Sequence, residues 1–453
     1  MSNFKVGFSS VNIDPELGIG ISGYYVPRFA KGILDSIEVT GLAVSSDGTD
    51  VIMLSVDNCL IDKDIDDTIA AGVEARIGVP AYNVIVTATH THTAPLLKKT
   101  SAFEADITKI DNYRVFMIEK CIEAAVLAYN DLLPAKMGFA IGQAPDRVAY
   151  IRRYKMKDGS TMTCPPINDP NIEGPIGELD QRVNVLRFDR EGGESIVLMN
   201  YGLHADTVNG EMISADWPGV MRRTVSKVLD GTKCIFFPGA EGDVGSTNVH
   251  PIPGDMNDTE ISFDNEMKSP GMARFVGRAL TGTILQVYDK VAYTDDTSIK
   301  VIRRELKIPA NVPNKEDMPR AREYKRLHDE GRDDLIPYTA MELTTVVAEA
   351  IRMCALENGP EYFTLNIIGV KIGGAAFVGI PGEPFTDIGV EIKKAEGWDI
   401  ILPTALTNGN AGYFPMMSAY DEGGYEARSS RYKPGVAELI IDGARELLEE
   451  LKK

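Results

Sequence analysis

Two of the chain's five histidines stand two residues apart, His90 and His92, inside NVIVTATHTHTAP at 83–95. The first half of this stretch is β-branched and apolar and reads as a buried strand. If the strand covers 84–88, period-2 alternation sends both imidazoles to one side, just beyond a strand end, where α/β sheets tend to bind ligands. A pair of imidazoles can hold a metal or move a proton. An HxH is a weak motif by itself, and the same residues read equally well as a polar loop in which threonines cap a turn. A third histidine, His204, also follows a strand-like run, in GLHADT at 202–207, and Glu383 follows another in GIPGEPF at 379–385. Zinc accepts imidazole nitrogen and carboxylate oxygen, and a catalytic zinc keeps one position for water. Glu383 can equally serve as the carboxylate at a helix N-terminus.

Other candidates carry blander readings. Asp57, at the end of a strand over 51–56, can support a metal-bound histidine from behind or simply cap a turn. Arg152 and Arg153 in AYIRRYKMKDG suit a hairpin surface, although in a concave site one guanidinium would hold an oxyanion or carboxylate. The glycine-rich PGAEGDVGST at 238–247 has the look of a backbone anion nest, but it has no Walker lysine and no GxGxxG, so a generic strand-to-loop turn is the expectation. His328, in KRLHDEGR, reads as part of a solvated face, and His250 as a loop residue. Tyr413, Tyr420 and Tyr425 fall in a Gly-, Asn- and Tyr-rich stretch, 406–427, that reads as loop rather than core.

The elements that must position these residues alternate along the chain. Strands are expected at 37–44, 51–56, 183–188, 195–201, 234–237, 297–307, 363–372 and 375–380. Helices are expected at 62–77, at 107–133 with Val115, Ile118, Ile122, Ala125 and Leu127 on the apolar face, at 267–290 and at 434–451. SADWPG at 214–219 should open a further helix with Asp216 as its cap. No repeat or low-complexity linker divides the chain. The expected fold class is therefore α/β, one large domain over 1–453 with mixed β-sheets flanked by helices and a mostly helical insertion around 308–360.

Bulk properties narrow the partners. A net charge of −19 argues against nucleic acid and anionic membrane as partners, because both need basic surface. The opening MSNFKVGFSS lacks a long apolar run, no stretch is long and apolar enough to span a membrane, and the five cysteines show no CxxC spacing. A cytoplasmic location, no membrane anchor and a small-molecule substrate are expected.

Taken together, THTHTAP at 89–95, GLHADT at 202–207, PGAEGDV at 238–244, GIPGEPF at 379–385, and NAGYFP with GGYEA at 410–427 resemble the catalytic domain of the neutral/alkaline non-lysosomal ceramidase family, in that family's order and over most of the chain. The resemblance implies a zinc ion held by His90, His204, Glu383 and Tyr413. It also implies His92 and Arg152 at the substrate site and Tyr425 near the metal. The activity implied is hydrolysis of an amide or related C–N bond by a metal-activated water. Two departures stand out. Gly245 occupies the position of a family serine implicated in catalysis, with Ser246 one residue late, and the family's C-terminal β-sandwich domain is not expected here. Both weaken ceramide as the substrate and favour a soluble molecule. The alternatives are a metal-dependent lyase or isomerase acting on a polyhydroxylated small molecule, and a metal-stabilised binding protein without turnover.

Overall fold

The computed structural model describes residues 3–98, 106–252, 255 and 268–453. Its largest sheet has nine strands. Along the path they run Lys233–Pro238, Ile196–Tyr201, Arg182–Arg190, Leu133–Gln143, Lys5–Asn12, Glu38–Ser46, Thr49–Val56 and Val84–Ala88, with Ala292–Thr294 paired beside Leu133–Gln143. Neighbours are antiparallel except for the pair at each edge, which is parallel. The two halves of this sheet share only the pairs Lys5↔Pro134 and Val6↔Leu133, so it folds back on itself. Ser55 Oγ, near one edge, donates to the Phe236 carbonyl at the other.

A second sheet, Ile299–Pro309, Tyr362–Ile372, Ala375–Gly379 and Ile400–Thr404, ends in a third parallel pair. Its Ile368, Val370, Phe377 and Leu402 pack against Val6, Leu42, Ile85 and Phe237 of the first sheet. Helices cover the outer faces. Lys63–Ile77 and Ile107–Asn130 seal one half of the large sheet, Asp216–Val228 and Pro270–Tyr288 the other, and Val436–Lys452 the second sheet. The layers are thus helix, sheet, sheet, helix, an α/β fold with mixed sheets. Between Ile299–Pro309 and Tyr362–Ile372 the chain leaves the sheet for two helices, Met318–Asp329 and Ala340–Leu356.

The helix expected at 107–133 stops at Asn130, because Leu133 already pairs with Val6 as a strand. Its buried face also differs from expectation. Val115 and Leu127 are exposed, while Met117, Cys121, Ala124 and Ala128 face inward. The reason is close approach: a Cβ on Gly7 would lie 2.0 Å from the Ala128 carbonyl oxygen, and one on Gly41 3.1 Å from that of Ala124. A helix lying this near a sheet must turn small residues towards it. Residue 267, the expected start of the fourth helix, lies outside the described residues; the helix runs Pro270–Tyr288 with Ser269 as its cap.

The stretch expected to be too polar for the core enters it all the same. Leu406 and Thr407 are buried, Thr407 Oγ1 lies 3.1 Å from Thr87 Oγ1, and Asn408 exchanges two hydrogen bonds with Val86. The loop is paid for by these pairings. No helix among the described residues is long and apolar enough to cross a membrane.

Candidate metal centre

Each of the three parallel strand pairs sends one ligand-type residue past its carboxyl end. His90 follows Val84–Ala88, His204 follows Ile196–Tyr201, and Glu383 follows Ala375–Gly379. All three are buried. Tyr413 reaches the same place because Glu383–Pro384 and Tyr413–Phe414 form a short parallel bridge that sets Glu383 beside Tyr413.

The two histidines are oriented alike. His90 Nδ1 lies 2.7 Å from the Cys59 carbonyl oxygen and His204 Nδ1 2.9 Å from that of Glu241. A carbonyl can only accept, so each Nδ1 carries the proton and each Nε2 presents a lone pair. Those lone pairs meet Glu383 Oε2 at 3.4 Å from His90 and 3.2 Å from His204. Among the described residues, neither His204 Nε2 nor Glu383 Oε2 has a hydrogen-bond partner.

Burial would raise the Glu383 carboxyl, but the two imidazoles hold it well below the usual carboxylate range. Burial would lower His90, but Glu383 carries it well above its ordinary value, so without a cation His90 Nε2 takes a proton and its lone pair is available only in exchange for that proton. Burial, Arg152 and His90 push His204 down to about 3, so its imidazole stays neutral. The cluster thus has an ionised carboxylate, a neutral imidazole and an attraction for one positive charge between them. Two nitrogens and an oxygen so arranged fit a divalent cation.

His90 and His92 do converge, their Nε2 atoms 3.2 Å apart, but strand alternation is not the cause. The strand ends at Ala88, and His90 has φ 68°, the left-handed region. The turn is pinned by backbone bonds from Thr89 to Val56, His90 to Asn58 and His92 to Ala205. His92 is buried and turns Nδ1 towards Asp206 at 3.7 Å. Asp206 in turn accepts from Lys268 at 2.9 Å and from Tyr24. Burial drives the His92 imidazole well below its ordinary value.

One open reading is decided and two other expectations need correction. Asp57 does not stand behind a histidine: its carboxylate takes both Arg222 nitrogens and the Glu38 N–H, and the Thr89 hydroxyl as well. Arg152 and Arg153 are not a hairpin surface but are both largely buried. Arg152 Nε donates to Glu426 at 2.8 Å, and Nη2 to the Gly242 carbonyl at 2.9 Å and the Tyr413 hydroxyl at 3.0 Å. Asp216 is not a cap but the first helical residue; its carboxylate takes the N–H groups of Thr207 and Val208, tying down the loop after His204.

His328 is likewise buried rather than solvated. It pairs with Asp333 at 3.0 Å and meets the Tyr25 ring edge-on at 6.4 Å. Tyr25 touches Tyr425, which stands edge-on to Tyr413 at 5.5 Å. An aromatic wall therefore joins the excursion helices to the centre. The mostly helical insertion around 308–360 was expected, but the charges around His328 gave no sign that it faces inward.

A residue that sequence reasoning missed is Glu241, wholly buried in the turn after Lys233–Pro238. Burial raises its carboxyl to about 8. Near it, Gly245 leaves room for a side chain, since a Cβ there would sit 3.7 Å from Arg152 Cβ, an ordinary contact. Gly245→Ser is therefore expected to change unfolding free energy by no more than about 0.5 kcal/mol, as measured by urea denaturation. A loss of several times that would mean the turn tolerates only glycine.

The fold is that of the neutral ceramidases. The chain superimposes on the crystal structure of neutral ceramidase from Pseudomonas aeruginosa with a TM-score of 0.73, at 18% identity, over 99% of this chain and 75% of that one. A ceramidase complexed with C2 gives 0.72 at 16% identity, over 99% and 76%. No protein-family model and no curated protein matches the sequence.

Proposed function

We propose that the chain is a metal-dependent hydrolase cleaving an amide or related C–N bond of a soluble small molecule, with zinc held by His90, His204, Glu383 and Tyr413. The observation that carries this reading is the buried meeting of two Nε2 lone pairs and one carboxylate oxygen, with both Nδ1 protons already committed to carbonyls. The likeness of fold to ceramidases supports the amide class. A divalent cation held there supplies Lewis acidity and lowers the pKa of water towards about 7.

The remaining work falls to the chain's own groups. His92, kept neutral by burial and facing Asp206 through Nδ1, takes the proton released by the attacking water and passes it to the leaving nitrogen as the C–N bond breaks. Burial and Glu383 push the Tyr413 hydroxyl well above its ordinary value; Arg152, donating to it, works against that rise and so favours the ionised, ligating form that a bound cation would call for. Tyr425 and the free edge of the Arg152 guanidinium stabilise the negative oxygen of the tetrahedral intermediate. Tyr24, Lys268 and Asp206 beside His92 give that side of the site a polar, charged wall, which favours a soluble substrate over a long lipid chain.

The test is elemental analysis of the purified protein, followed by an amide panel run in H₂¹⁸O before and after chelation. About one zinc per chain is expected, with chelation abolishing turnover and one ¹⁸O entering the carboxylate product. Turnover without ¹⁸O incorporation would replace hydrolysis with the lyase or isomerase reading, and a metal-free protein would remove the centre.

A further inference from the structure

Cys59 stands where the chain turns after the strand Thr49–Val56, the parallel neighbour of the strand that leads to His90. That pairing brings the two turns together. The Asn58 carbonyl accepts the His90 N–H at 2.9 Å, the Cys59 carbonyl lies 2.7 Å from His90 Nδ1, and Cys59 Sγ lies 3.8 Å from the same nitrogen. At the other ring nitrogen, His92 Nε2 lies 3.2 Å from His90 Nε2. Cys59 Sγ and one ring nitrogen from each histidine fall within 4.8 Å of one another, and all three residues are buried.

The group is firmly held. His92 donates its N–H to the Ala205 carbonyl at 3.0 Å, and its own carbonyl accepts from Arg28 Nη2 at 2.7 Å. Gly23 closes over the ring so tightly that a Cβ there would sit 2.8 Å from His92 Cγ. Among the described residues His92 Nδ1 has no hydrogen-bond partner, and the proposed hydrolysis gives the Cys59 sulfur no part. Two imidazole nitrogens on one tetrahedral ion sit roughly 3.3 Å apart, and a thiolate sulfur roughly 3.6 Å from each. The histidine nitrogens already have that spacing. The sulfur needs a shift of about 1 Å at most, within reach of rotation about its one side-chain torsion.

We infer that Cys59, His90 and His92 form a second cation site, for a soft, thiophilic ion such as cadmium(II) or copper(I), which competes with the centre of His90, His204 and Glu383 for the His90 imidazole. His90 Nδ1 is committed to a carbonyl, so the ring has one lone pair to offer, at Nε2, and serves one ion at a time. Thiolate sulfur selects soft ions, whereas the set containing a carboxylate suits zinc and harder dications. As the ion enters, the Cys59 S–H bond breaks, its proton leaves to water, and the sulfur–metal bond takes its place. The sharing of His90 rests on the metal reading proposed above; the thiolate site itself does not. A chain loaded in this way lacks both a ligand of the proposed centre and the imidazole that moves protons beside it.

The test uses the full chain carrying Cys164→Ser and Cys354→Ser, which removes the two cysteines that are not fully buried. Metal is stripped with a chelator and cadmium(II) is titrated in, with affinity read by calorimetry and thiolate coordination by ultraviolet charge-transfer absorbance. About one equivalent should bring up the band. Cys59→Ser and Cys59→Ala should abolish it, and these two and His92→Gln should weaken cadmium binding by more than the roughly 10- to 100-fold that outer partners of a metal contribute. His204→Ala should bind cadmium within about threefold of its parent. On zinc-loaded protein, cadmium should displace zinc, so that the two together stay near one ion per chain after desalting.

A band that survives both Cys59 variants would place the sulfur elsewhere and overturn the assignment. Cadmium bound without a band, and lost in His204→Ala, would overturn it too and leave the proposed centre standing. A total near two ions per chain would overturn the sharing of His90. A band in a protein that takes up no zinc would uphold the thiolate site and remove the proposed centre instead.

Discussion

Replacing His204 by alanine is expected to reduce bound metal from about one ion per chain to almost none, and turnover by about a thousandfold or more, beyond what loss of a single oxyanion donor costs. The ring is fixed from both sides: Nδ1 is held by the Glu241 carbonyl, and the residue's own carbonyl accepts from Trp217 Nε1 at 3.1 Å. Among the described residues the neighbouring imidazoles are committed elsewhere: His90 Nε2 faces Glu383, and His92, its ring centroid 5.8 Å from that of His204, turns Nδ1 towards Asp206. Removing the imidazole leaves Glu383 with one nitrogen partner where it had two. Elemental analysis beside a kinetic assay reads both effects, and circular dichroism guards against unfolding. A His204→Ala protein with full metal and full activity would sink the ligand set.

The largest effect on stability is expected at Asp57. Its carboxylate is wholly buried and receives both terminal nitrogens of Arg222, with Glu38 N–H and Thr89 Oγ1 completing its coordination. Asp57→Ala strands the Arg222 guanidinium in the interior, with Glu38 at 3.9 Å as its remaining acid. Loss of one partner of a buried ion pair typically costs about 3–5 kcal/mol, so the urea midpoint should fall markedly. Replacing both members with apolar residues of similar volume should recover most of that loss, since the desolvation of both charges is then avoided. A fall below about 1 kcal/mol in Asp57→Ala would show that the pair contributes like a surface bridge.

What could be read in the sequence followed from how locally each feature is determined. The strands before His90, His204 and Glu383 were legible because buried parallel strands are predominantly apolar. Their ends fall where expected, and so the histidines and the glutamate meet. The cause of the His90–His92 convergence was not legible, because a left-handed residue is imposed by the bonds of its neighbours and not by its own type. Tyr413 came from family resemblance alone, since its place depends on a two-residue bridge with Glu383. Arg152, Arg153 and His328 were misjudged for a shared reason. Charge in a sequence suggests solvent, and only the fold reveals that Glu426, Glu422 and Asp333 are there to receive it. Glu241 looked like one more polar residue in a glycine-rich turn.

The parallel strand pairs that feed the centre are spread along the whole chain, and this has a consequence for its biogenesis. As the polypeptide leaves the ribosome, the first sheet can begin to form early, and it carries both HxH imidazoles. His204 follows well after them, and Glu383 and Tyr413 later still. Until then a nascent chain holds imidazoles without their carboxylate, a weak and unselective trap for passing ions. A chain that stalls before Tyr413 would therefore carry much of the sheet without the residues that complete the proposed centre.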